Sequence, residues 1–385
     1  MTKRTMALVA ALCLVFIDIA RADNVKIGFI NSMTGSEAPV GENLTNGVTL
    51  ALEDLAKAGI KVDLVKEDDT GKPQVSMSAM EKLATRDKVA GVVGPYTAAC
   101  GNAIARVAEK YKVPLVVPVA AKDEITQQGL KWVFRPGAIS YDYAEIVIEM
   151  ATALDKPKTM AIINENTDFG ISVARGAKAV AAKKGIQIVF EEAYYKGSPD
   201  YRATLSKIKA TNPDLVFMVS YVADAILLMR QSREVGLRPK AFLGAGAGFS
   251  VAQFAQEQAI SNYVFSSTQW TQDAKWPGAK DFGKRYEAKF GKQPTYHAAA
   301  AYEAMMIMAE TAVKAGGDRE KLREALRAGK WNGIWGEVKF ADYDNFTNQN
   351  KHQMLVEQIQ NGRHETVYPP QQAAKKPIYP FPGWK

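Results

Sequence analysis

The stretch that decides the fold runs from Gly91 to Pro118 and reads GVVGPYTAACGNAIARVAEKYKVPLVVP. It begins with a short β-branched run, continues with a helical pattern from Ala98 to Tyr111, and ends in a second apolar run. A strand, a helix and a second strand in this order make a right-handed βαβ unit, because parallel strands need a crossover connection. The stretch therefore predicts a parallel sheet that is covered by helices.

The same alternation continues on both sides of this unit. Strand and helix patterns alternate from Val25 to Phe134, and a second series begins after FRPGAIS, which spans Phe134 to Ser140. Pro136 and Gly137 interrupt the pattern between the two series. Two consecutive series in one chain of 385 residues predict an α/β protein with two doubly wound, parallel-sheet lobes.

The first 22 residues have the pattern of a secretory signal peptide. Two basic residues precede a short apolar run, and Ala20-Arg21-Ala22 offers a small-residue cleavage site. The apolar run is shorter than the ~20 residues that a membrane-spanning helix needs. We therefore expect cleavage after Ala22 and a mature chain in the periplasm.

The net charge and the cysteine content further restrict the possible classes of protein. Removing residues 1–22 would lower the net charge from +8 to +6 and would remove Cys13, leaving Cys100 as the single cysteine. A single cysteine excludes an intramolecular disulfide framework, and a chain of this length is stable without one. Basic and acidic residues are interspersed, so we expect no nucleic-acid partner.

The sequence lacks the motifs of the common enzyme classes. Its histidines, at positions 297, 352 and 364, show no metal-ligand spacing with one another or with Cys100. There is no nucleophile-elbow motif and no phosphate-loop motif. The run GAGAGFS, from Gly244 to Ser250, has a faint likeness to a dinucleotide loop but lies far from the first βαβ unit. We therefore predict a protein that is not an enzyme and that uses no cofactor or metal.

Cys100 supports two interpretations. A thiol near a small-residue turn could act as a nucleophile that is paired in space with His297. Cys100 also falls inside the helical pattern that runs to Tyr111, where a small apolar cysteine would pack against the core. We favour the buried position and rank an exported thiol enzyme below the other functional hypotheses.

The turn GPYTAA, from Gly94 to Ala99, follows one strand and opens the next helix. Ligands of open α/β sheets bind at the carboxyl ends of the strands, and the first N–H groups of a helix attract an anion. The small side chains of Ala98 and Ala99 would let an anionic group approach the main chain. An ordinary strand-to-helix turn has the same pattern, so the local sequence leaves both interpretations open.

Four segments, in this order along the chain, carry a resemblance to a known family: VKIGFINSMTGSEAPVGENLTNGVTLALED, GVVGPYTAACGNAIARVAEKYKVPLVVP, TDFGISVARGAKAVAAKKG and LLMRQSREVGL. They resemble the leucine/isoleucine/valine-binding proteins, which are periplasmic solute-binding subunits of ABC transporters. The resemblance implies the type I periplasmic binding protein fold, in which two lobes joined by three crossovers close over a ligand by hinge bending.

The resemblance also implies a division of the chain and a partner. The crossovers are expected near Ile139–Ser140, Ser267–Gln269 and Trp335–Lys339, so that lobe 1 comprises residues 23–139 and 268–335 and lobe 2 comprises residues 140–267 and 336–385. The protein would be a monomer that delivers a small-molecule ligand to a cognate ABC permease in the inner membrane.

Three positions that anchor an amino acid in the family carry no anchoring side chain here. The hydroxyl that holds the ligand's α-carboxylate falls on Ala98, a second hydroxyl falls on Ala121, and the glutamate that holds the α-ammonium falls on Gly246. An ammonium group in a closed cleft without a carboxylate partner loses its solvation uncompensated. The resemblance, together with these departures from it, therefore argues against a plain α-amino acid.

The other positions that the resemblance brings to the ligand are mostly apolar or aromatic. They are Val40, Tyr96, Thr97, Ala120, Phe169, Tyr221 and Tyr296. Lys122 and Arg135 lie near this set in sequence, and each could pair with a ligand carboxylate or serve a structural role between the lobes.

These residues give three hypotheses for the ligand and the role. The leading one is a periplasmic binding protein for an amphipathic or aromatic organic acid. The runner-up is binding of a branched-chain or other hydrophobic amino acid. A hypothesis from another class is a periplasmic sensor that docks a membrane signalling partner.

Overall fold

The computed structural model describes residues 24–384, and a first parallel sheet is built from the N-terminal part of this range. The spatial order of its five strands is β2-β1-β3-β4-β5. Their bounds are β1 Asn24–Asn31, β2 Lys61–Asp68, β3 Gly91–Val93, β4 Leu115–Val116 and β5 Val133–Phe134. The inner strands are apolar and buried because helices cover both faces of a parallel sheet. The predicted signal peptide lies outside the described residues.

Helices from two separated parts of the chain pack on this first sheet. They are α1 Ala38–Lys57, α2 Pro73–Thr85 and α3 Ala98–Tyr111, followed much later by α10 Ala279–Phe290, α11 Tyr296–Lys314 and α12 Arg319–Ala328. The alanine-rich α11 packs along α1, and residues such as Ala298 and Met305 are fully buried there. We call the first sheet and these helices the first lobe.

A second sheet of seven strands forms the other lobe, in the order β16-β15-β10-β9-β8-β6-β7. Five strands are parallel: β6 Thr159–Glu165, β7 Gln187–Tyr194, β8 Leu215–Val219, β9 Ala241–Gly244 and β10 Phe265–Thr268. The strands β15 Leu355–Gln360 and β16 Arg363–Tyr368 extend the sheet in antiparallel fashion. A short loop can join β15 to β16 because antiparallel neighbours need no crossover helix.

The helices of the second lobe come mainly from the middle of the chain. Their bounds are α4 Ser140–Leu154, α5 Asp168–Lys184, α6 Arg202–Ala210, α7 Val222–Glu234, α8 Ala252–Gln256 and α9 Gln258–Ser261. The ends of α5 follow from its sequence: the Thr167 side chain accepts from Gly170 N–H at the start, and Gly185 takes a left-handed conformation at the end. Within residues 24–384, no helix is both long and apolar enough to cross a membrane.

Two short hairpins lie between the last helix of the first lobe and the last strands of the second. They pair β11 Trp331–Gly333 with β12 Gly336–Val338, and β13 Ala341–Tyr343 with β14 Phe346–Gln349. The second hairpin bonds to the first lobe, where Thr347 N–H donates to the Thr126 carbonyl over 2.8 Å and Arg135 N–H donates to the Asn348 carbonyl over 3.2 Å.

These hydrogen bonds affect where the third crossover between the two lobes is placed. We expected the third crossover near Trp335–Lys339, but residues 341–349 are hydrogen-bonded to the first lobe and β15 begins at Leu355 in the second sheet. We therefore revise the proposed division by placing the third crossover between Asn350 and Leu355. The other two expected crossovers, near Ile139–Ser140 and Ser267–Gln269, remain part of this proposal.

Candidate solute-binding cleft

The conformation of the turn before α3 depends on a glycine, Gly94, and on the helix-capping residue Thr97. Gly94 has φ of +131°, and a Cβ there would lie 2.1 Å from the Ile30 carbonyl oxygen, so only glycine fits. The Thr97 hydroxyl accepts from the Cys100 N–H over 3.3 Å and starts the helix. The N–H groups of Ala98 and Ala99 precede the first intrahelical bonds and remain available to a ligand.

A small cavity lies in front of this helix end, between the two lobes. Its volume is about 10 Å³, roughly the room that one water molecule needs, so the side chains of the two lobes nearly fill the closed cleft. The first lobe contributes Tyr96, Ala98, Val119, Ala120, Ala121 and Tyr296, and the second lobe contributes Tyr143, Phe169, Tyr221 and Ala247. Every lining residue is at most 8 % exposed, so the two lobes are closed over the cavity.

Aromatic rings in edge and tilted contact form most of the wall. Tyr143 meets Phe169 edge to face at 5.8 Å between ring centroids, and Phe169 is tilted against Tyr221 at 5.8 Å. The ring of Tyr96 joins them from the first lobe, at 5.8 Å from Tyr221. Such a wall offers apolar area and ring edges to a flat or branched ligand body.

The tyrosine hydroxyls at the cavity differ in whether they have a hydrogen-bond partner. The Tyr296 hydroxyl crosses the cleft and accepts from Ala247 N–H over 3.2 Å, and the Tyr143 hydroxyl lies 3.5 Å from it. The Gln269 amide donates to the Tyr143 hydroxyl. The Tyr96 hydroxyl, in contrast, is buried and has no hydrogen-bond partner within residues 24–384. Burial raises the pKa of Tyr96 well above its usual value, so its hydroxyl is a neutral donor.

Gly246 explains why no acidic side chain reaches this wall from β9. Its φ is +58°, and a Cβ would lie 2.7 Å from Cε1 of Tyr143 and 3.0 Å from the Ser267 carbonyl oxygen. The space that a side chain at this position would enter is therefore occupied by the Tyr143 ring.

Seven of the ten residues expected at the ligand line the cavity. They are Tyr96, Ala98, Ala120, Ala121, Phe169, Tyr221 and Tyr296. Thr97 serves as the helix cap, Gly246 supplies the turn beside the cavity, and Val40 is fully buried on α1 in the hydrophobic core.

Sequence reasoning missed Val119, Tyr143 and Ala247. Val119 and Ala247 directly adjoin predicted residues, so a window of one residue around each predicted position would have included them. Tyr143 lies in the first turn of α4. In the sequence, only the missing side chain at Gly246 could have indicated that another residue's ring fills this space.

The two basic candidates have structural partners. Lys122 Nζ lies 2.9 Å from Asp168 Oδ2, which places an ion pair between the lobes. Arg135 is fully buried and donates to the Gln349 side chain, to the Thr126 hydroxyl over 2.7 Å and to the Lys122 carbonyl over 2.7 Å. Arg135 thus binds the second hairpin to the end of the first sheet.

Two buried acids lie behind the aromatic wall. Glu165 accepts from Tyr221 N–H over 3.2 Å and from the Thr167 hydroxyl over 2.9 Å, and burial raises its pKa to about 8. Glu37, at the start of α1, forms an ion pair with Lys196 of the second lobe. Both carboxyl groups therefore already have hydrogen-bond or ion-pair partners, and neither residue lines the cavity.

Cys100 is fully buried on α3, where its thiol lies beside the side chains of Asp69, Ser76 and Thr97. Burial raises the pKa of its thiol to about 11, which keeps the group protonated at neutral pH. His297, its suggested partner, is stacked on Tyr296 at 3.8 Å and is held neutral because burial lowers its pKa to about 3. A protonated, buried thiol has little nucleophilic character.

A cavity that is closed by walls from two α/β lobes, with free helix N–H groups at one end, defines a two-lobed solute-binding protein. Comparisons with known proteins give the family. The family model described as "Periplasmic binding protein" matches residues 24–363.

Relatives and solved structures agree with this match. The Leu/Ile/Val-binding protein homolog 7 of Brucella suis is 29% identical over 96% of this chain and 97% of its own length. A leucine-binding protein from Thermotoga maritima has a TM-score of 0.81 at 25% identity, covering 89% of this chain and 98% of its own. A Rhodopseudomonas palustris solute-binding protein in complex with benzoate has a TM-score of 0.82 at 18% identity, covering 92% and 97%, and shows the fold alone.

The chain belongs to the periplasmic binding protein family. Within it, the chain is a solute-binding protein of the Leu/Ile/Val-binding type, the class that serves branched-chain amino acid type ABC transporters. This confirms the family and the fold that were predicted from the sequence. The family consists of extracytoplasmic binding proteins and not of enzymes.

Proposed function

We propose that this protein captures a small carboxylic acid with an aromatic or branched apolar body and no α-ammonium group, and delivers it to the permease of an ABC importer. The single observation that carries the proposal is the composition of the cavity wall: five aromatic rings and five small or aliphatic side chains, with no acid among the ten. An ammonium group would find no carboxylate there to replace its water.

The carboxylate end of such a ligand has a suitable place in the first lobe. The N–H groups of Ala98 and Ala99 open α3, and the hydroxyl of Tyr96, which also lines the cavity, is buried without a hydrogen-bond partner among residues 24–384. Together they supply neutral donors and the positive end of a helix dipole to one anionic group. The rings of Phe169 and Tyr221 then face the apolar body of the ligand.

A second candidate ligand is a branched-chain or other hydrophobic amino acid. The leucine-binding protein from Thermotoga maritima, with which this chain shares 25% identity and nearly the whole fold, favours it. The two candidates differ in one chemical group, the α-ammonium, and can be separated by that group alone.

The test is a thermal-shift and calorimetric comparison of matched ligand pairs. The first pair is 3-phenylpropionate against phenylalanine, and the second is 4-methylpentanoate against leucine, so that each pair differs only in the α-ammonium. We expect the acid of at least one pair to raise Tm and its amino acid to leave Tm unchanged, because only a bound ligand stabilises the folded state. Stabilisation by leucine or phenylalanine alone would overturn the proposal.

A further inference from the structure

One buried carboxylate of the first lobe pairs with a lysine of the second lobe beside the aromatic wall. Glu37 stands just before α1 in the first lobe, and its side chain is 4 % exposed. One of its carboxylate oxygens accepts from the Ser36 hydroxyl over 3.0 Å, and the same oxygen pairs with Lys196 Nζ. Lys196 belongs to the turn that follows β7 in the second lobe. The pair therefore exists only while the two lobes are together.

The turn that carries Lys196 is fixed within the second lobe. Gly197 N–H donates to both carboxylate oxygens of Asp224, over 3.0 and 3.2 Å, and Asp224 is itself buried on α7. Lys196 Nζ also lies 4.6 Å from the ring centroid of Tyr221, which lines the cavity. A cation over a ring face is attracted to it, so the lysine contacts the ligand wall and the opposite lobe at once.

The carboxylates of the other ion pairs across the cleft are more exposed to water than Glu37 is, whereas Lys196 itself is 35 % exposed. Asp168, the partner of Lys122, is 35 % exposed, and Arg175 and Glu124 are 62 % and 37 % exposed. Solvated pairs contribute little to stability. A carboxylate that is buried on closure is different, because the loss of its partner leaves an uncompensated buried charge.

We propose that Lys196 and Glu37 form an electrostatic latch that sets how firmly the cleft closes over its ligand. Closure removes water from Glu37, and Lys196 supplies the charge that replaces it. Opening returns the carboxylate to water, so removal of Lys196 penalises the closed form alone. The proposal uses the ligand site proposed above and does not depend on which ligand occupies it.

The test compares three variants with the wild type. Lys196→Met removes the cation and keeps the length of the side chain. Glu37→Gln combined with Lys196→Met removes both charges. Lys178→Met is the matched control, because Lys178 forms a 2.8 Å ion pair with Glu191 entirely within the second lobe. The dissociation constant for 3-phenylpropionate is measured by calorimetry, and the radius of gyration without ligand by X-ray scattering.

We expect Lys196→Met to weaken binding by about 30-fold, since it leaves the buried Glu37 carboxylate without its cation in the closed form. The double variant should bind at least about tenfold more tightly than Lys196→Met, because no charge is left buried. Lys178→Met should bind like the wild type. A lysine that merely held the Tyr221 ring would not be rescued by Glu37→Gln, so equal binding by the single and double variants would overturn the latch.

The scattering measurement decides the question even if 3-phenylpropionate fails to bind the wild type, a result that would count against the proposed function only. The latch requires a larger radius of gyration for Lys196→Met than for the wild type and for Lys178→Met, and a return toward the wild-type value in the double variant. An equal radius of gyration for all four proteins would overturn the latch.

Discussion

The two walls of the cleft differ in what they offer a ligand. The wall from the first lobe is built of three alanines at the start of α3 and after β4, of Val119, and of the rings of Tyr96 and Tyr296. Among residues 24–384, the Tyr96 hydroxyl has no hydrogen-bond partner. The wall from the second lobe consists of three rings and Ala247. Both walls present apolar area, and the first wall adds main-chain hydrogen-bond donors at the start of α3.

This difference indicates that the two lobes have different roles in ligand binding. Main-chain N–H groups bind an anion whatever body it carries, whereas rings select the shape of that body. The first lobe is thus suited to hold the carboxylate, and the second lobe to select the ligand during closure. Each of the following changes tests one side of this comparison.

The largest effect is expected from removing a ring of the second wall. Phe169→Ala should weaken binding of 3-phenylpropionate by about 3 kcal/mol or more, because the ring contacts two other rings and borders the cavity. Calorimetry measures the affinity. Phe242→Ala is the control, since that buried ring of the same lobe packs against Phe381 and Trp384. It should lower Tm and leave affinity intact, and equal losses of affinity in both variants would contradict the assignment.

A smaller loss is expected from the first wall. Tyr96→Phe removes a hydroxyl that has no partner, so the free protein should keep or gain stability, while the loss of a hydrogen bond to a carboxylate should weaken binding by about 2 kcal/mol. Tyr286→Phe gives the opposite pattern: its hydroxyl donates to Asn43 at 3.2 Å away from the cavity, so Tm should fall and affinity should not change. If Tyr96→Phe bound normally, the carboxylate would lie elsewhere.

The pH dependence of stability tests the buried acid behind the ring wall. The pKa of Glu165 rises from its ordinary 4.5 to about 8 on folding because of burial. Between these values the folded protein retains a proton that the unfolded chain has released, so stability should fall as pH rises from 5 to 9. Glu165→Gln should flatten this fall and raise Tm by a few degrees at pH 9.

The control for this measurement is Asp155→Asn. Its hydrogen bond with Lys240 lowers the pKa of Asp155 to about 2, so its stabilisation is lost only in more acidic solution and the slope between pH 5 and 9 should persist. If stability decreased between pH 5 and 9 as steeply in Glu165→Gln as in the wild type, titration of Glu165 would not be the cause of the decrease.

The smallest effect on binding is expected at Cys100. Cys100→Ala removes a buried thiol from α3 and should cost about 1 kcal/mol of stability, while the ligand affinity stays the same. In the native protein, iodoacetamide should react with this cysteine far more slowly than in urea. Rapid alkylation of the native protein would revive the thiol hypothesis.

Most of the fold was readable from the sequence, because hydrophobic runs and helical spacing reflect burial directly. The strand, turn and helix around Gly94 were predicted for this reason. The ends of parallel strands pointed to the turn that holds Ala98 as a binding position, and the family resemblance pointed to Ala121. The second hairpin was harder, since its short strands bond to the first lobe through main-chain atoms of Thr347 and Asn348. Main-chain bonding between distant segments leaves no pattern in side chains.

The details of the site depend on three-dimensional packing. Tyr143 enters the cavity because Gly246 leaves room for its ring, and neither residue signals this alone. Val40 has an apolar side chain that suits a ligand wall or a core equally; it is fully buried on α1 and is not among the residues that line the cavity. Composition and spacing therefore predict which loops meet, whereas the orientation of each side chain depends on its neighbours.

The contact between Gly246 and Tyr143 has a consequence for how this protein could change its ligand over evolutionary time. An acid at position 246 would face both a left-handed backbone and the Tyr143 ring. A smaller residue at 143 would have to come first, and that step alone removes a hydroxyl hydrogen-bonded to Gln269. The introduction of an acid at position 246 is thus expected to pass through a less stable variant at position 143, because the ring must be replaced before a side chain can enter.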